Sequence, residues 1–212
     1  TSFSGVVETT DEDTEAVIVL SELQGPADAD DIDGTVDAFV VQSVTSGTLK
    51  IGTTSGSATA FASGTNDEIN GTQKAYWTPA ANVNGSGLSA FVVRAKDNDG
   101  ATSSTDVTAT VTVNAVNDAP TASSVTFAGT LMEGETLTGS YTYSDPESDA
   151  ESGTTYRWLR ADDAGGTNEA AISGATSQTY TLVAADNGKH ISFEVTPSDG
   201  TLSGPAVQSS RQ

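Results

Sequence analysis

The sequence predicts an all-β chain made of two tandem antiparallel β-sandwich modules. Three observations predict it. Thr, Ser, Gly and Val dominate, and no long stretch has helical periodicity. Short segments alternate apolar and polar residues with period two, the pattern of a strand with one face in a core. Clusters of Gly, Asn and Ser separate those segments at the spacing of sandwich strands.

The segments come in order. The first module has alternating runs at 36–44, 48–51, 90–95 and 107–113, the last reading VTATVTV. Turn clusters at 52–56, 64–71 and 82–87 lie between them. In the second module the runs fall at 136–143, 155–159, 178–183 and 191–195. The stretch Asn114-Ala115-Val116-Asn117-Asp118-Ala119-Pro120 ends one series and opens the next. It sets modules at 1–118 and 119–212, each close to the roughly 100 residues of a seven-stranded sandwich. Pro120 fixes φ in a short connection, so the joint between modules is expected to be stiff.

The chain has 212 residues, with 29 acidic and 8 basic side chains, a net charge of −21. Seventeen acids face four bases in 1–118, and twelve face four in 119–212, so the charge belongs to both modules. The absence of cysteine excludes disulfides, zinc ribbons, iron–sulfur clusters and thiol catalysis. So acidic a surface repels phosphate backbones, and no nucleic acid partner is expected. The longest apolar run, 16–20, falls far short of the roughly 18 residues of a membrane span, so no membrane insertion is expected. The chain opens at Thr1 without methionine and reads as a segment of a longer protein.

The acids are clustered. Asp11, Glu12, Asp13 and Glu15 precede the apolar run at 16–20. Asp28, Asp30, Asp31 and Asp33 precede the strand at 36–44, and Asp97 and Asp99 follow the one at 90–95. Asp145, Glu147, Asp149 and Glu151 follow the strand at 136–143, and Asp199 follows the one at 191–195. In a sandwich the B–C and F–G loops return to the end where the chain enters. Asp28, Asp30 and Asp33 then meet Asp97 and Asp99 at that end of module one. Asp145, Glu147, Asp149 and Asp199 meet Asn117 and Asp118 at the same end of module two, with Glu12 reaching them from the far end of module one. Carboxylates this close repel by several kcal/mol at a partly buried site. A calcium ion with 6–8 oxygen ligands turns that repulsion into binding. The alternative for these loops is a solvated acidic turn. EF-hand spacing is absent, because Ala29 and Ala95 stand at the first ligand position counted back from Gly34 and Gly100. Asp67-Glu68 and Asp162-Asp163 read as solvated hairpin loops.

Several motifs of module one resemble a known family. Glu12-Asp13-Thr14, Asp28-Ala29-Asp30, Thr35 to Val41, Ala75-Tyr76-Trp77-Thr78-Pro79-Ala80-Ala81-Asn82, Lys96-Asp97-Asn98-Asp99-Gly100 and Val116-Asn117-Asp118-Ala119-Pro120 are similar to cadherin-like repeats of giant repeats-in-toxin bacterial surface adhesins. The resemblance implies an extracellular β-sandwich with calcium at its ends. Module two resembles the bacterial immunoglobulin-like domains of such adhesins through Gly134-Glu135-Thr136-Leu137, Tyr156-Arg157-Trp158, Ile172-Ser173-Gly174-Ala175, Ser177-Gln178-Thr179-Tyr180 and Asp186-Asn187-Gly188-Lys189-His190. That resemblance makes Trp158 the core tryptophan. It puts His190 in the slot of a corner tyrosine, with a polar contact to nearby backbone.

Other chemistry is thinly represented. His190 is the only histidine, so any Ser–His–Asp arrangement must use it. No pair of acids has a spacing that marks a glycosidase. Adjacent strand residues face opposite ways, so one of Tyr76 and Trp77 is expected to face outward, where it would stack on a sugar. Asn70-Gly71-Thr72 and Asn84-Gly85-Ser86 read as turns. The expected function is a non-catalytic, calcium-stabilised extender of a secreted, surface-bound bacterial adhesin. Its partners would be neighbouring modules of the same chain, and it would be monomeric. The alternatives are a glycan- or peptide-binding module, with Tyr76, Trp77 and Tyr180 as its platform, or an accessory domain of a secreted polysaccharide-degrading enzyme.

Overall fold

A computed structural model describes residues 6–25 and 34–212. The chain divides into two compact units, Thr1–Val116 and Asn117–Gln212. Asn117 and Asp118 therefore belong to the second.

The first unit contains β1 (Glu8–Asp11), β2 (Ala16–Ile18), α1 (Leu20–Gln24), β3 (Val36–Val44), β4 (Thr48–Gly52), β5 (Thr59–Ala60), β6 (Glu68–Asn70), β7 (Lys74–Thr78), β8 (Gly85–Asp97) and β9 (Val107–Asn114). One sheet runs β1-β9-β8-β3-β6 and the other β2-β7-β4-β5. All pairs are antiparallel except β1 with β9. The alternation in β9 buries Val107, Ala109, Val111 and Val113 and leaves the threonines between them half-exposed. Between the sheets Phe39, Phe91, Ile69, Ile18 and Trp77 are at most 1% exposed. The Trp77 indole N–H donates to the Ser46 carbonyl at 2.7 Å. Gly47 makes that turn possible: its φ is +65°, and a Cβ there would lie 2.2 Å from the Thr78 carbonyl oxygen.

The apolar run 16–20 supplies β2 and the first residue of α1, whose first turn is closed by the Glu22 carboxylate accepting from the Val19 N–H at 2.7 Å. One expectation changes here. Within the turn cluster at 64–71, Glu68–Asn70 is a strand on the edge of the larger sheet. Glu68 therefore sits on a ladder and is no solvated loop residue.

The second unit contains β10 (Thr121–Ala128), β11 (Thr136–Ser144), β12 (Thr155–Ala161), β13 (Ala170–Ala171), β14 (Thr179–Thr181), β15 (His190–Thr196) and β16 (Val207–Gln208). The sheets are β10-β11-β14 and β13-β12-β15-β16. Trp158, fully buried, is the centre. Phe127 meets it edge-on at 5.4 Å, and Phe193 and Tyr180 lie 5.0 and 5.8 Å away. Its indole N–H donates to the Ser177 carbonyl at 3.0 Å, so the ring is buried with its polar atom satisfied. Gly139 of β11 lies under Phe193, where a Cβ would stand 2.4 Å from the ring. The strand expected at 178–183 shrinks to Thr179–Thr181 because a 3₁₀ turn at Ala184–Asp186 follows.

Candidate metal centre

Seven ion pairs occur among the described residues: Lys50–Glu15, Arg94–Asp106, Lys96–Glu68, Arg157–Glu194, Arg160–Asp186, Lys189–Asp162 and Arg211–Glu169. None of these acids is a candidate metal ligand. Among the described residues these seven cations serve strand faces and turns, and none of them pairs with an end-loop carboxylate.

Asp28, Asp30, Asp31 and Asp33 lie outside the described residues. The loop they were expected to meet is described. Asp97 Oδ1 accepts from the N–H groups of Asp99 and Ala101 at 3.0 and 2.8 Å, closing the β8–β9 turn. Asn98 is stitched to Thr35, accepting its N–H at 2.9 Å and donating to its carbonyl at 3.0 Å. Thr35, just before β3, therefore lies against this loop. Asp99 is exposed.

Glu12 sits in the turn between β1 and β2 and is 4% exposed. Its carboxylate accepts from the Val116 N–H at 2.6 Å and from the Asn84 amide at 3.4 Å. Beside it Asp13 takes a left-handed φ of 57° and accepts from the Asn82 N–H at 3.3 Å. The last residue of the first unit is thus tied back to that unit's own turns.

The second unit gathers its candidates by a chain of contacts. Asp145 Oδ1 accepts from the N–H groups of Glu147 and Asp149 at 3.0 and 2.9 Å, so the loop after β11 wraps around it. Ser148 takes φ 66° to complete that wrap. Glu147 Oε2 accepts from the Asp118 N–H at 2.9 Å. The Asn117 amide donates to Asp199 Oδ2 at 2.8 Å. Asp199 Oδ1 accepts from the N–H groups of Thr201 and Leu202 at 2.5 and 2.7 Å. Hydrogen bonds thus join Asp145 to the backbone of Glu147, Glu147 to Asp118, and Asn117 to Asp199, while Asp149 lends its backbone and keeps an exposed side chain.

The second oxygens carry the chemistry. Asp118 Oδ2, Asp145 Oδ2 and Glu147 Oε1 are buried with no hydrogen-bond partner, and so is the hydroxyl of Tyr143. A buried oxygen left unsatisfied costs about 1–3 kcal/mol, more when charged. All three are oxygen donors, the type calcium takes, and Asp118 and Glu147 offer carboxylate oxygens within 4.8 Å of each other. The Asn117 amide and the Leu202 and Thr201 N–H groups hold the Asp199 carboxyl below its ordinary range. Burial and the neighbouring Asp145 and Asp199 push the Tyr143 phenol up. Tyr143 was invisible as a site residue in the sequence, where it is one more position in an alternating strand.

Acid should unfold the chain through its paired carboxylates. Lys50 holds Glu15 down, Lys96 holds Glu68 down and Arg211 holds Glu169 down. Depressed folded-state values give stability that is present above the unfolded pKa of about 4 and lost as pH falls through the folded values. Glu22, raised chiefly by burial, works in the opposite sense. The melting temperature is expected to fall steeply below about pH 4, which a pH series of thermal melts checks.

Tyr76 and Trp77 are 4% and 1% exposed, so neither ring is open to solvent. Tyr76 is covered because β7 runs between β2 and β4, where Val17 and Lys50 flank it in register. Tyr180 packs on Trp158 and donates its hydroxyl to Asp186 at 2.8 Å. These three form no aromatic platform. His190 pairs with Ala161 on the β12–β15 ladder, and its Nδ1 is buried without a partner, so it makes no polar corner contact through that atom. The corner is made by Asp186, 7% exposed, which accepts from the Val183 N–H at 2.8 Å, from Tyr180 and from Arg160 at 2.6 Å. A short carboxylate inside the turn reaches the backbone there.

Residues 121–208 match the model of the AIR9 A9 domain. Over those residues the second unit is similar to an immunoglobulin-like module. Among solved structures, domains A168–A170 of titin are similar over 99% of this chain, with 11% identity and a TM-score of 0.31. The chain spans 62% of the length of that titin fragment. No curated protein matches it in sequence.

Proposed function

We propose that this chain is a non-catalytic, calcium-stabilised extender segment of a bacterial cell-surface adhesin, whose tandem modules project a distal binding domain. The observation that carries the reading is the set of three buried, unpartnered carboxylate oxygens on Asp118, Asp145 and Glu147. With Asn117 and Asp199 beside them, these residues would hold the ion. Calcium supplies charge neutralisation and a rigid oxygen cage. Asn117 and Asp118 open the second unit, so coordination there fixes the connecting segment to that unit's body. Val116, on the other side, is already tied to Glu12. A segment clamped at both ends suits a spacer. The cadherin-like motifs support extracellular placement, where millimolar calcium fits weak sites of about 10⁻⁴–10⁻³ M.

The test is tumbling in solution. With calcium, backbone amides of both units should report one shared rotational correlation time by NMR relaxation. In chelator they should report two shorter ones. Equal values in both conditions would overturn the extender reading.

A further inference from the structure

Lys96, Glu68 and Asn70 meet on the outer face of the larger sheet in the first unit. The register explains the meeting. Asn70 of β6 and Lys96 of β8 both lie opposite Ala38 of β3, one on each side. Directly opposed residues share a face, and Ala38 places only a methyl group between them. Two strand spacings put the Cα atoms of Asn70 and Lys96 roughly 9.6 Å apart. A lysine–asparagine amide joins two Cα atoms through about eight bonds of about 1.5 Å, enough to span that gap when nearly extended.

The polar contacts are those of a reacting group. The Lys96 ammonium donates to Glu68 Oε2 at 2.6 Å, and the Asn70 amide donates to Glu68 Oε1 at 2.9 Å. One carboxylate therefore holds both the nucleophile and the leaving nitrogen. Asn70 Oδ1 accepts from the N–H groups of Thr72 and Gln73, each at 2.9 Å. Two backbone donors on an amide oxygen polarise its carbon and stabilise the oxyanion that forms on attack. Lys96 and Glu68 are 33% and 34% exposed, so the carboxylate is partly shielded from water.

We propose that Lys96 and Asn70 become joined by an intramolecular isopeptide bond, with Glu68 as the proton carrier. Lys96 Nζ forms a bond to Asn70 Cγ, and the bond from Cγ to Nδ2 breaks. Two of the three ammonium protons pass through Glu68 to Nδ2, which departs as an ammonium ion. Glu68 ends ionised, as it began. Nothing is oxidised or reduced, and no co-reactant is needed. The product ties β6 to β8 across β3.

Intact-mass spectrometry of the whole chain, denatured, tests this directly. The expected mass is that of the sequence less one ammonia, and a tryptic digest should yield a branched peptide holding both Asn70 and Lys96. Lys96→Arg should restore the full mass, and Glu68→Gln should do so while circular dichroism still shows the folded chain. A wild-type mass equal to that of the sequence overturns the proposal. So does a deficit that persists in Lys96→Arg, since a succinimide at Asn70-Gly71 loses the same ammonia without the lysine.

Discussion

Calcium is expected to raise the melting temperature of this chain, and a chelator in excess to lower it again. That is the expected result if Asp118, Asp145 and Glu147 hold an ion, because their buried second oxygens have no protein partner in its absence. At a free concentration one hundred times the dissociation constant, a ligand of the native state adds about 2.7 kcal/mol of stability. For a unit of this size each kcal/mol moves the melting point by roughly 4–8 °C, so the rise should be on the order of 10 °C or more. The variant Asp145→Asn sharpens the test, because the same physics gives it opposite signs in the two conditions. It removes one repelling charge from a crowded site, so it should melt no lower than the parent in chelator. It removes a ligand oxygen's charge, so most of the calcium-dependent rise should disappear. A calorimetric scan of both proteins in both conditions supplies the four values. A midpoint that calcium leaves unmoved in the parent would remove the metal from the proposed function.

The sequence made the strand ladders legible because alternation is a local signal. The run 107–113 alternates without a break and becomes β9, and the bounds of β3 are those read from the residues. It also pointed to two pairs that the second unit joins by hydrogen bonds, Asn117 with Asp199 and Asp118 with Glu147. Three things were not legible, each because a distant partner decides it. Glu68 looks like a loop acid until β6 pairs with β3 and brings it to Lys96. Tyr76 looks like half of an in–out pair until β2 and β4 flank it on both sides. Among the candidate ligands, nothing local distinguishes Asp149 from Asp145. The wrap of the loop around Asp145 buries an oxygen of one and leaves the side chain of the other in water.

Asp186→Ala should destabilise the second unit by about 3–5 kcal/mol, the cost of breaking a buried ion pair by removing one partner. The Asp186 side chain is 4% exposed and that of Arg160 26%, so the pair has little water to fall back on. Burial is the largest single influence and works against the guanidinium's charge, yet the hydrogen bond and charge of Asp186, with Tyr180 beside them, together outweigh it and raise Arg160. Alanine strands that charge. It also strips the acceptor from the Val183 N–H and the Tyr180 hydroxyl, which hold the turn before β15 and a ring packed on Trp158. Asp186→Asn separates the two losses. Its amide oxygen still accepts one hydrogen bond in the turn but offers Arg160 no charge, so it should fall between the parent and alanine. The first unit has its own core and none of these residues, so its transition should not move. Calorimetry with two resolved transitions reads both outcomes at once. A loss below about 1 kcal/mol for Asp186→Ala, the scale of an exposed pair, would mean that Arg160 finds another partner. The carboxylate would then be incidental to the corner, and its burial would need a different cause.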